Sequence, residues 1–154
     1  MKTVRQIVGE RRKVWSIGPG ASGLDALKKM AEKNVSALAV VEGAKLVGIV
    51  TERDFARKVL LRGIFGRPFR VSDIMTPNPL CAGLDHTSEE CMALMIEKHI
   101  RHLPVVGAGG LVGMLSMRDL MEDVLSDKDF VIEQMRDYIA EAGRCPVDGP
   151  KVVR

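Results

Sequence analysis

The apolar residues of this chain switch between helical and strand-like spacing in a regular order. Apolar side chains at every third or fourth position over residues 24–33 predict an amphipathic helix. The short β-branched run at 37–41 predicts a buried strand, and a glycine-containing turn leads to a return strand over 46–50. A second helix is predicted over 52–61. With a short strand at 14–17, the pattern predicts a β-α-β-β-α unit.

The same unit is written a second time. Residues 22–54 align without a gap with residues 87–119, which lie 65 positions further on, and 11 of the 33 pairs are identical. Because one such unit cannot cover its own apolar face, two copies are expected to pack together. The second copy has the same predicted elements in the same order: a strand at 80–82, a helix at 88–99, strands at 103–106 and 111–115, and a helix at 117–125.

The repeats define the predicted domain organisation. A weaker echo joins Val4–Ile7 to Val71–Ile74, so each copy has a similar lead-in. The segment between the copies holds Gly63, Gly66 and Pro68, which is typical of a loop. We therefore predict a first repeat over 3–62, a linker over 63–70, a second repeat over 71–126, an amphipathic C-terminal helix over 127–142 and a flexible tail over 143–154.

Composition narrows the class of protein. The chain is 46% hydrophobic and 28% charged, as in a soluble globular protein. No apolar run approaches the roughly 20 residues that span a membrane, and the charged N-terminus lacks a secretory signal, so we expect a cytoplasmic protein. A net charge of +3 with six aromatic residues argues against a nucleic-acid partner. The three cysteines and three histidines have no metal-ligand spacing, which predicts no metal site.

The polar feature that both copies share lies where the return strand meets the second helix. It reads Thr51-Glu52-Arg53-Asp54 in the first copy and Ser116-Met117-Arg118-Asp119 in the second. These residue types suit a sugar phosphate, because helix N-terminal amides and a hydroxyl favour phosphate oxygens. An aspartate can accept hydrogen bonds from two ribose hydroxyls, and an arginine presents a planar fork to phosphate.

The same residues have a purely structural interpretation. Thr51 with Asp54, and Ser116 with Asp119, are near-matches to a helix capping box. A cap alone does not require the neighbouring arginine, which both copies keep. The residues by themselves leave both interpretations open, a ligand site and a helix cap.

At these motifs the chain resembles a known family, the cystathionine-β-synthase (CBS) domains. The resemblance covers roughly residues 3–125, and the chain is also similar to stand-alone bacterial CBS-pair proteins. It implies an α/β (α+β) fold of two β-α-β-β-α repeats related by a pseudo-twofold axis, with two clefts between the copies. The motifs that carry it are Asn34–Leu38, Gly48–Asp54, Val71–Thr76, Ile100–Val106 and Gly113–Asp119.

The resemblance also implies which residues contact a ligand. Asp54 and Asp119 match the ribose-binding aspartate of the family, and Thr51 and Ser116 match its hydroxyl position. Backbone segments flank the adenine, and a short preceding strand lines its pocket. The remaining expected contacts are Val14, Trp15, Ile17, Val35, Ser36, Ala37, Arg53, Leu80, Ile100, Arg101, His102, Pro104 and Arg118.

Family members commonly bind AMP, ADP, ATP, S-adenosylmethionine or NAD, and pairs often form disc-like dimers. The resemblance thus implies a non-catalytic sensor of adenosine nucleotides that needs no catalytic cofactor, forms a homodimer and reports to an unidentified effector protein. In agreement, no nucleophile–base pair recurs between the copies and no P-loop is present. The alternative is a structural dimerisation module whose clefts have lost their ligand.

The copies differ where the family reaches the phosphate. The first has Ser36-Ala37 where the second has Arg101-His102. Pseudo-symmetry should bring Arg101 and His102 to the cleft of Asp54. We therefore expect that cleft to be the better phosphate site.

Overall fold

The computed structural model describes residues 2–10 and 13–126, so the predicted C-terminal helix and tail lie outside the described residues. The chain begins with a short helix, and each repeat then contributes one sheet with helices packed on it. The elements before the linker are α1 (Val4–Glu10), β1 (Ser16–Ile17), α2 (Gly23–Lys33), β2 (Ala37–Glu42), β3 (Lys45–Thr51), α3 (Glu52–Asp54) and a π-helix (Phe55–Leu60). Those after it are α4 (Val71–Ile74), β4 (Thr76–Pro77), β5 (Ala82–Gly83), α5 (Ser88–Glu97), β6 (His102–Gly107), β7 (Gly110–Ser116) and α6 (Met117–Ser126).

The predicted α+β class and the repeated β-α-β-β-α order are confirmed, with corrections at element ends. The strand expected over 14–17 is limited to β1, because only Ser16 and Ile17 pair with β2. The strand expected over 80–82 is displaced to β5. The helix expected over 88–99 ends earlier, because His99 has a left-handed backbone with φ 53°, like its counterpart Asn34 at φ 52°.

Another correction concerns the helix expected over 52–61. It is α-helical only over α3, and the six residues that follow form a π-helix. Its counterpart in the second repeat is the regular helix α6. π-Helical turns are rare and often occur at functional sites, so this difference between the repeats indicates that the segment after Asp54 belongs to a functional site.

The two sheets follow one plan. In each, a short strand pairs parallel to the first hairpin strand, and the hairpin itself is antiparallel; β4 extends the first sheet beside β3. The register shifts between Val40 and Val41 in β2, and between Val105 and Val106 in β6. These positions lie 65 residues apart, so the duplication extends to the irregularity of the sheet.

The two lead-in helices are exchanged between the repeats. Val4 and Ile7 of α1 are buried in the core formed by the second repeat, and Val71 and Ile74 of α4 are buried in the core of the first. Matched backbone hydrogen bonds fix both segments: the amide of Val4 donates to His86 O at 2.8 Å, and that of Val71 to Ala21 O at 2.9 Å. Each core therefore closes only with a segment that precedes the other repeat in the sequence.

Two matched glycines permit this exchange. A Cβ at Gly113 in β7 would lie 2.6 Å from Cγ1 of Val8 on α1. A Cβ at Gly48 in β3 would lie 2.6 Å from Met75 Sδ and 3.0 Å from the backbone oxygen of Thr76. Each strand thus has no side chain where the exchanged segment passes over it.

We predict that Gly113→Ala destabilises the protein by about 1–3 kcal/mol, because the added methyl forces α1 away from β7. Urea unfolding measures the loss. The matched control is Gly109→Ala in the same hairpin, where a Cβ has open space, and its effect should stay within about 0.5 kcal/mol. Equal effects of the two substitutions would show that α1 does not pack on β7 as described.

Candidate functional site

Two clefts lie between the repeats. The first has a volume of ≈ 550 Å³ and joins the Asp54 turn of the first repeat to the start of β6 in the second. We call it the Asp54 cleft. It is lined by Ser36, Ile49, Thr51, Glu52, Arg53, Asp54, Arg57, Lys58, Thr76, Asn78, Pro79, Leu80, Lys98, Ile100, Arg101 and His102.

The second cleft is its counterpart across the pseudo-twofold axis, with a volume of ≈ 960 Å³. It joins the Asp119 turn to the start of β2, and we call it the Asp119 cleft. It is lined by Ile7, Val8, Lys13, Trp15, Asn34, Val35, Ser36, Ala37, Arg101, His102, Met114, Leu115, Ser116, Met117, Arg118, Asp119, Met121, Glu122 and Leu125.

Asp54 is a helix cap and also lines a cleft. Its Oδ2 accepts hydrogen bonds from Thr51 N at 2.8 Å and from Thr51 Oγ1 at 3.1 Å, while Thr51 Oγ1 accepts from the Asp54 amide at 3.4 Å. Asp119 repeats the pattern: its Oδ2 accepts from Ser116 N at 2.8 Å, and its amide donates to Ser116 Oγ at 3.2 Å. The structural interpretation of the shared motif is therefore correct, and it is compatible with a ligand site because both carboxylates line clefts.

Lys58 occupies the other oxygen of Asp54. Its ammonium lies 2.8 Å from Asp54 Oδ1 and donates to Ile74 O at 2.7 Å. Lys58 is four residues after Asp54 in the helical segment, so the ion pair is local. The ammonium holds the carboxylate in place and joins the cleft to the end of the exchanged helix α4.

The first helical amides of both turns are engaged within the protein. The Glu52 amide donates to Ser36 O at 3.0 Å, and the Met117 amide donates to Arg101 O at 2.9 Å. The positive charge in the Asp54 cleft therefore comes from side chains rather than from a helix terminus.

The matched arginines have different partners. Arg53 Nη1 donates to the carbonyl of His99 at 3.0 Å and so bridges the two repeats. Arg118 Nε instead donates to Glu122 Oε1 at 3.0 Å within its own helix. Arg53 thus stays in the wall of its cleft without a carboxylate partner among the described residues, whereas the charge of Arg118 is balanced by a neighbouring carboxylate.

Three residues form a wall shared by both clefts. Ser36, Arg101 and His102 line the Asp54 cleft, as expected for the last two, and they also line the Asp119 cleft. Ser36 Oγ lies 3.1 Å from His102 Nε2, which links the repeats at this wall. Burial lowers the pKa of His102, and the charges of Arg101 and Arg53 lower it further. The imidazole is therefore neutral at neutral pH.

The two clefts carry different charge. Among the described residues, the Asp54 cleft is lined by five cationic side chains and two acidic ones, and the Asp119 cleft by three cationic and two acidic ones. The cationic residues are Arg53, Arg57, Lys58, Lys98 and Arg101 in the Asp54 cleft, and Lys13, Arg101 and Arg118 in the Asp119 cleft.

Most of the ligand contacts expected from the sequence line one cleft or the other, but three do not. Val14 precedes β1, Ile17 packs against the first core, and Pro104 is buried in β6 opposite Met114. All three lie outside both clefts. Beside Val14, its neighbours Lys13 and Trp15 reach the Asp119 cleft instead.

Sequence reasoning missed Arg57 and Lys58, which line the Asp54 cleft. Their spacing carries a signal, since they follow Asp54 by three and four residues and so lie on its side of a helix. Lys98, which also lines the Asp54 cleft, has no such signal in the sequence, because only the tertiary structure brings the end of α5 to the first repeat.

Among residues 2–10 and 13–126, no histidine, cysteine and carboxylate side chains form a group of three or more that could hold a metal ion. No helix in this part of the chain is both long and apolar enough to cross a membrane.

Comparisons with known proteins agree with the geometry. The family model of the CBS domain matches the chain twice, at residues 4–61 and 71–126. The mitochondrial CBS domain-containing protein CBSX3 of Arabidopsis thaliana is 38% identical over 120 residues, which cover 75% of this chain and 58% of that protein. The chain therefore spans little more than half the length of this relative.

Solved structures of CBS-domain proteins have a similar fold. A CBS-domain protein from Burkholderia ambifaria MC40-6 is 41% identical with a TM-score of 0.79, and the match covers 84% of this chain and 98% of that one. The crystal structure of CBSX2 in complex with AMP is 29% identical with a TM-score of 0.71, and it covers 83% of this chain and 99% of that one.

We predict that His102 makes the protein less stable in mild acid. The folded state lowers the pKa of His102, so the unfolded chain binds a proton more readily and stability falls as the pH drops below the ordinary histidine value. Urea unfolding at pH 7 and pH 5 should show a smaller acid-induced loss for His102→Gln than for the parent protein. His86→Gln changes an exposed histidine and serves as the control. Identical losses in the His102 variant and the parent would contradict the prediction.

Proposed function

This chain belongs to the CBS-domain family, and we propose that it is a non-catalytic regulatory protein that binds an adenosine nucleotide (AMP, ADP, ATP or NAD) between its repeats. The observation that carries the proposal is the pairing, in one cleft, of the capped carboxylate of Asp54 with cationic side chains from the opposite repeat. The AMP complex of CBSX2 supports the ligand class.

The carboxylate of Asp54 suits a ribose. A carboxylate offers about four acceptor positions, and Oδ1 is contacted only by Lys58 among the described residues. A ribose hydroxyl that donates to Oδ1 gains a charge-assisted hydrogen bond. Because Asp54 is only 8% exposed, this bond forms in a partly desolvated place where it is stronger than in water.

The phosphates would lie towards the second repeat. Lys98 and Arg101 are exposed at the opposite wall of the Asp54 cleft, and Arg57 is exposed on the π-helix. An arginine can bind phosphate through two parallel hydrogen bonds. A nucleotide held in this way contacts both repeats at once, with ribose on the first and phosphate near the second.

Such a ligand can act as a regulator without chemistry. Binding ribose requires an ionised aspartate but no proton transfer, so we assign no catalytic step to Asp54. A ligand that contacts both repeats binds most tightly to the arrangement of the repeats whose cleft fits it best. This difference in affinity shifts the protein towards that arrangement.

The regulatory proposal requires a partner. Leu24 on α2 and Ile96 on α5 are exposed apolar side chains on helices of the two repeats. We propose that the protein is cytoplasmic, forms a homodimer and reports its ligand state to an effector protein. Size-exclusion chromatography with light scattering tests the dimer.

We predict that Asp54→Asn lowers the affinity for AMP at least about tenfold, because hydrogen bonds to a charged group contribute about 1.5–3 kcal/mol. The asparagine oxygen can still accept from the Thr51 amide, so the cap is retained. Isothermal titration calorimetry measures affinity and stoichiometry, and the ligand-dependent rise in melting temperature checks them independently.

The matched control is Asp25→Asn, which removes the same charge from an exposed position outside both clefts. It should bind AMP like the parent protein. If AMP, ADP, ATP, NAD and S-adenosylmethionine produce neither heat nor a melting shift up to millimolar concentration, the proposal is wrong and the protein is a structural dimerisation module.

A further inference from the structure

The repeats reverse their charge at two matched positions beside the clefts. Arg57 and Lys58 follow Asp54 by three and four residues, and Glu122 and Asp123 follow Asp119 by the same distances. The motif before them keeps its sign in both copies, with arginine followed by aspartate. The reversal is therefore confined to the helical turn next to each carboxylate.

In the first repeat this turn adds cations to the cleft. Both Arg57 and Lys58 lie in the π-helix and line the Asp54 cleft. Lys58 is the partner of Asp54, and Arg57 is exposed at the opening. Arg101 and Lys98 lie on the facing wall, where Lys98 Nζ is paired with the exposed Glu97 Oε1 at 2.7 Å. Cations therefore border the place where a phosphate chain would leave the ribose.

In the second repeat the same turn removes positive charge. Glu122 lines the Asp119 cleft and binds Arg118. Asp123 is 7% exposed and forms an ion pair with Lys2 at 3.5 Å. Burial alone would raise the pKa of Asp123, but the backbone amide of Lys2, which donates to Oδ2 at 3.3 Å, and the Lys2 ammonium favour the charged form, and the pKa is held below its ordinary value. Asp123 is therefore ionised at neutral pH.

Apart from Lys13, the shared Arg101 and the paired Arg118, much of the Asp119 cleft is apolar where the Asp54 cleft is cationic. The indole of Trp15 lines the Asp119 cleft, and Nζ of Lys33, which is on α2, lies 4.5 Å from its ring centroid. Three methionines and a leucine extend this apolar surface, and the cleft is the larger of the two, at ≈ 960 Å³ against ≈ 550 Å³. These residues are Met114, Met117, Met121 and Leu125. Thioether and indole groups favour an uncharged substituent over a phosphate.

We propose that the two clefts select adenosine ligands of different charge. The Asp54 cleft binds the phosphate-bearing nucleotide, and the Asp119 cleft binds an adenine nucleoside whose 5′ substituent carries no phosphate. Residues 57 and 122 set this difference, Arg57 by attracting phosphate and Glu122 by repelling it and balancing Arg118. This inference rests on the proposed function, since it assigns ligands to the same two clefts.

The test measures each cleft separately in the full chain. Asp54→Asn leaves the Asp119 cleft intact, and Asp119→Asn leaves the Asp54 cleft intact. Each variant is titrated by calorimetry with adenosine, AMP, ADP and ATP. In Asp119→Asn, which reports on the Asp54 cleft, affinity should rise with the number of phosphates. In Asp54→Asn, which reports on the Asp119 cleft, affinity should fall as phosphates are added.

Glu122→Gln in the Asp54→Asn background should raise the affinity for ATP relative to adenosine about fivefold or more, because it removes a negative charge near the phosphates and releases Arg118. Arg57→Gln in the Asp119→Asn background should lower the same ratio. Glu32→Gln removes an exposed carboxylate outside both clefts and should leave the ratio unchanged. Thermal melts of each variant without ligand verify that it is folded.

The outcomes separate the two proposals. The charge selection is wrong if both clefts rank adenosine, AMP, ADP and ATP in the same order of affinity. It is also wrong if Glu122→Gln leaves the ratio of ATP to adenosine affinity unchanged. In either case nucleotide binding itself still stands. If none of the four ligands binds the parent chain, both proposals are wrong.

Discussion

The exchanged lead-in helices hold the structure in its arrangement. The amides of Val4 and Val71 donate hydrogen bonds to the carbonyl oxygens of His86 and Ala21, each in the opposite repeat. The apolar side chains of α1 and α4 complete cores to which these helices are not adjacent in sequence. Each core is completed by the helix that leads into the other repeat. The relative position of the repeats, and hence the width of both clefts, is therefore fixed by core packing, which tolerates little displacement.

The clefts are built from the same residues that stabilise the fold. Asp54 and Asp119 satisfy backbone amides at their turns, and the carboxylates lie at the clefts because those turns do. Under the proposed function, one carboxylate would serve the fold through its hydrogen bonds to the backbone and the ligand through its contact with ribose. This arrangement prepares the carboxylate for a ligand, since its position is set before a ligand arrives.

Symmetry in packing and asymmetry in charge have separate physical origins. Buried positions such as Leu38 and Leu103 must fill equivalent spaces, so duplication preserves them. Exposed residues beside a cleft contribute little to the core and are free to differ. The charges at residues 57 and 122 differ for this reason, and they can give two clefts of one fold different ligand preferences.

The sequence by itself determined the repeat, the α+β class, the hairpins and the capped aspartates, because periodicity and caps depend on residues close in the chain. It did not determine the exchange of α1 and α4, since short apolar segments can pack on either repeat. Nor did it place Lys98 beside Asp54, or show that Ser36, Arg101 and His102 border both clefts. The tertiary structure decided these points, because they depend on how two complete units meet across the pseudo-twofold axis.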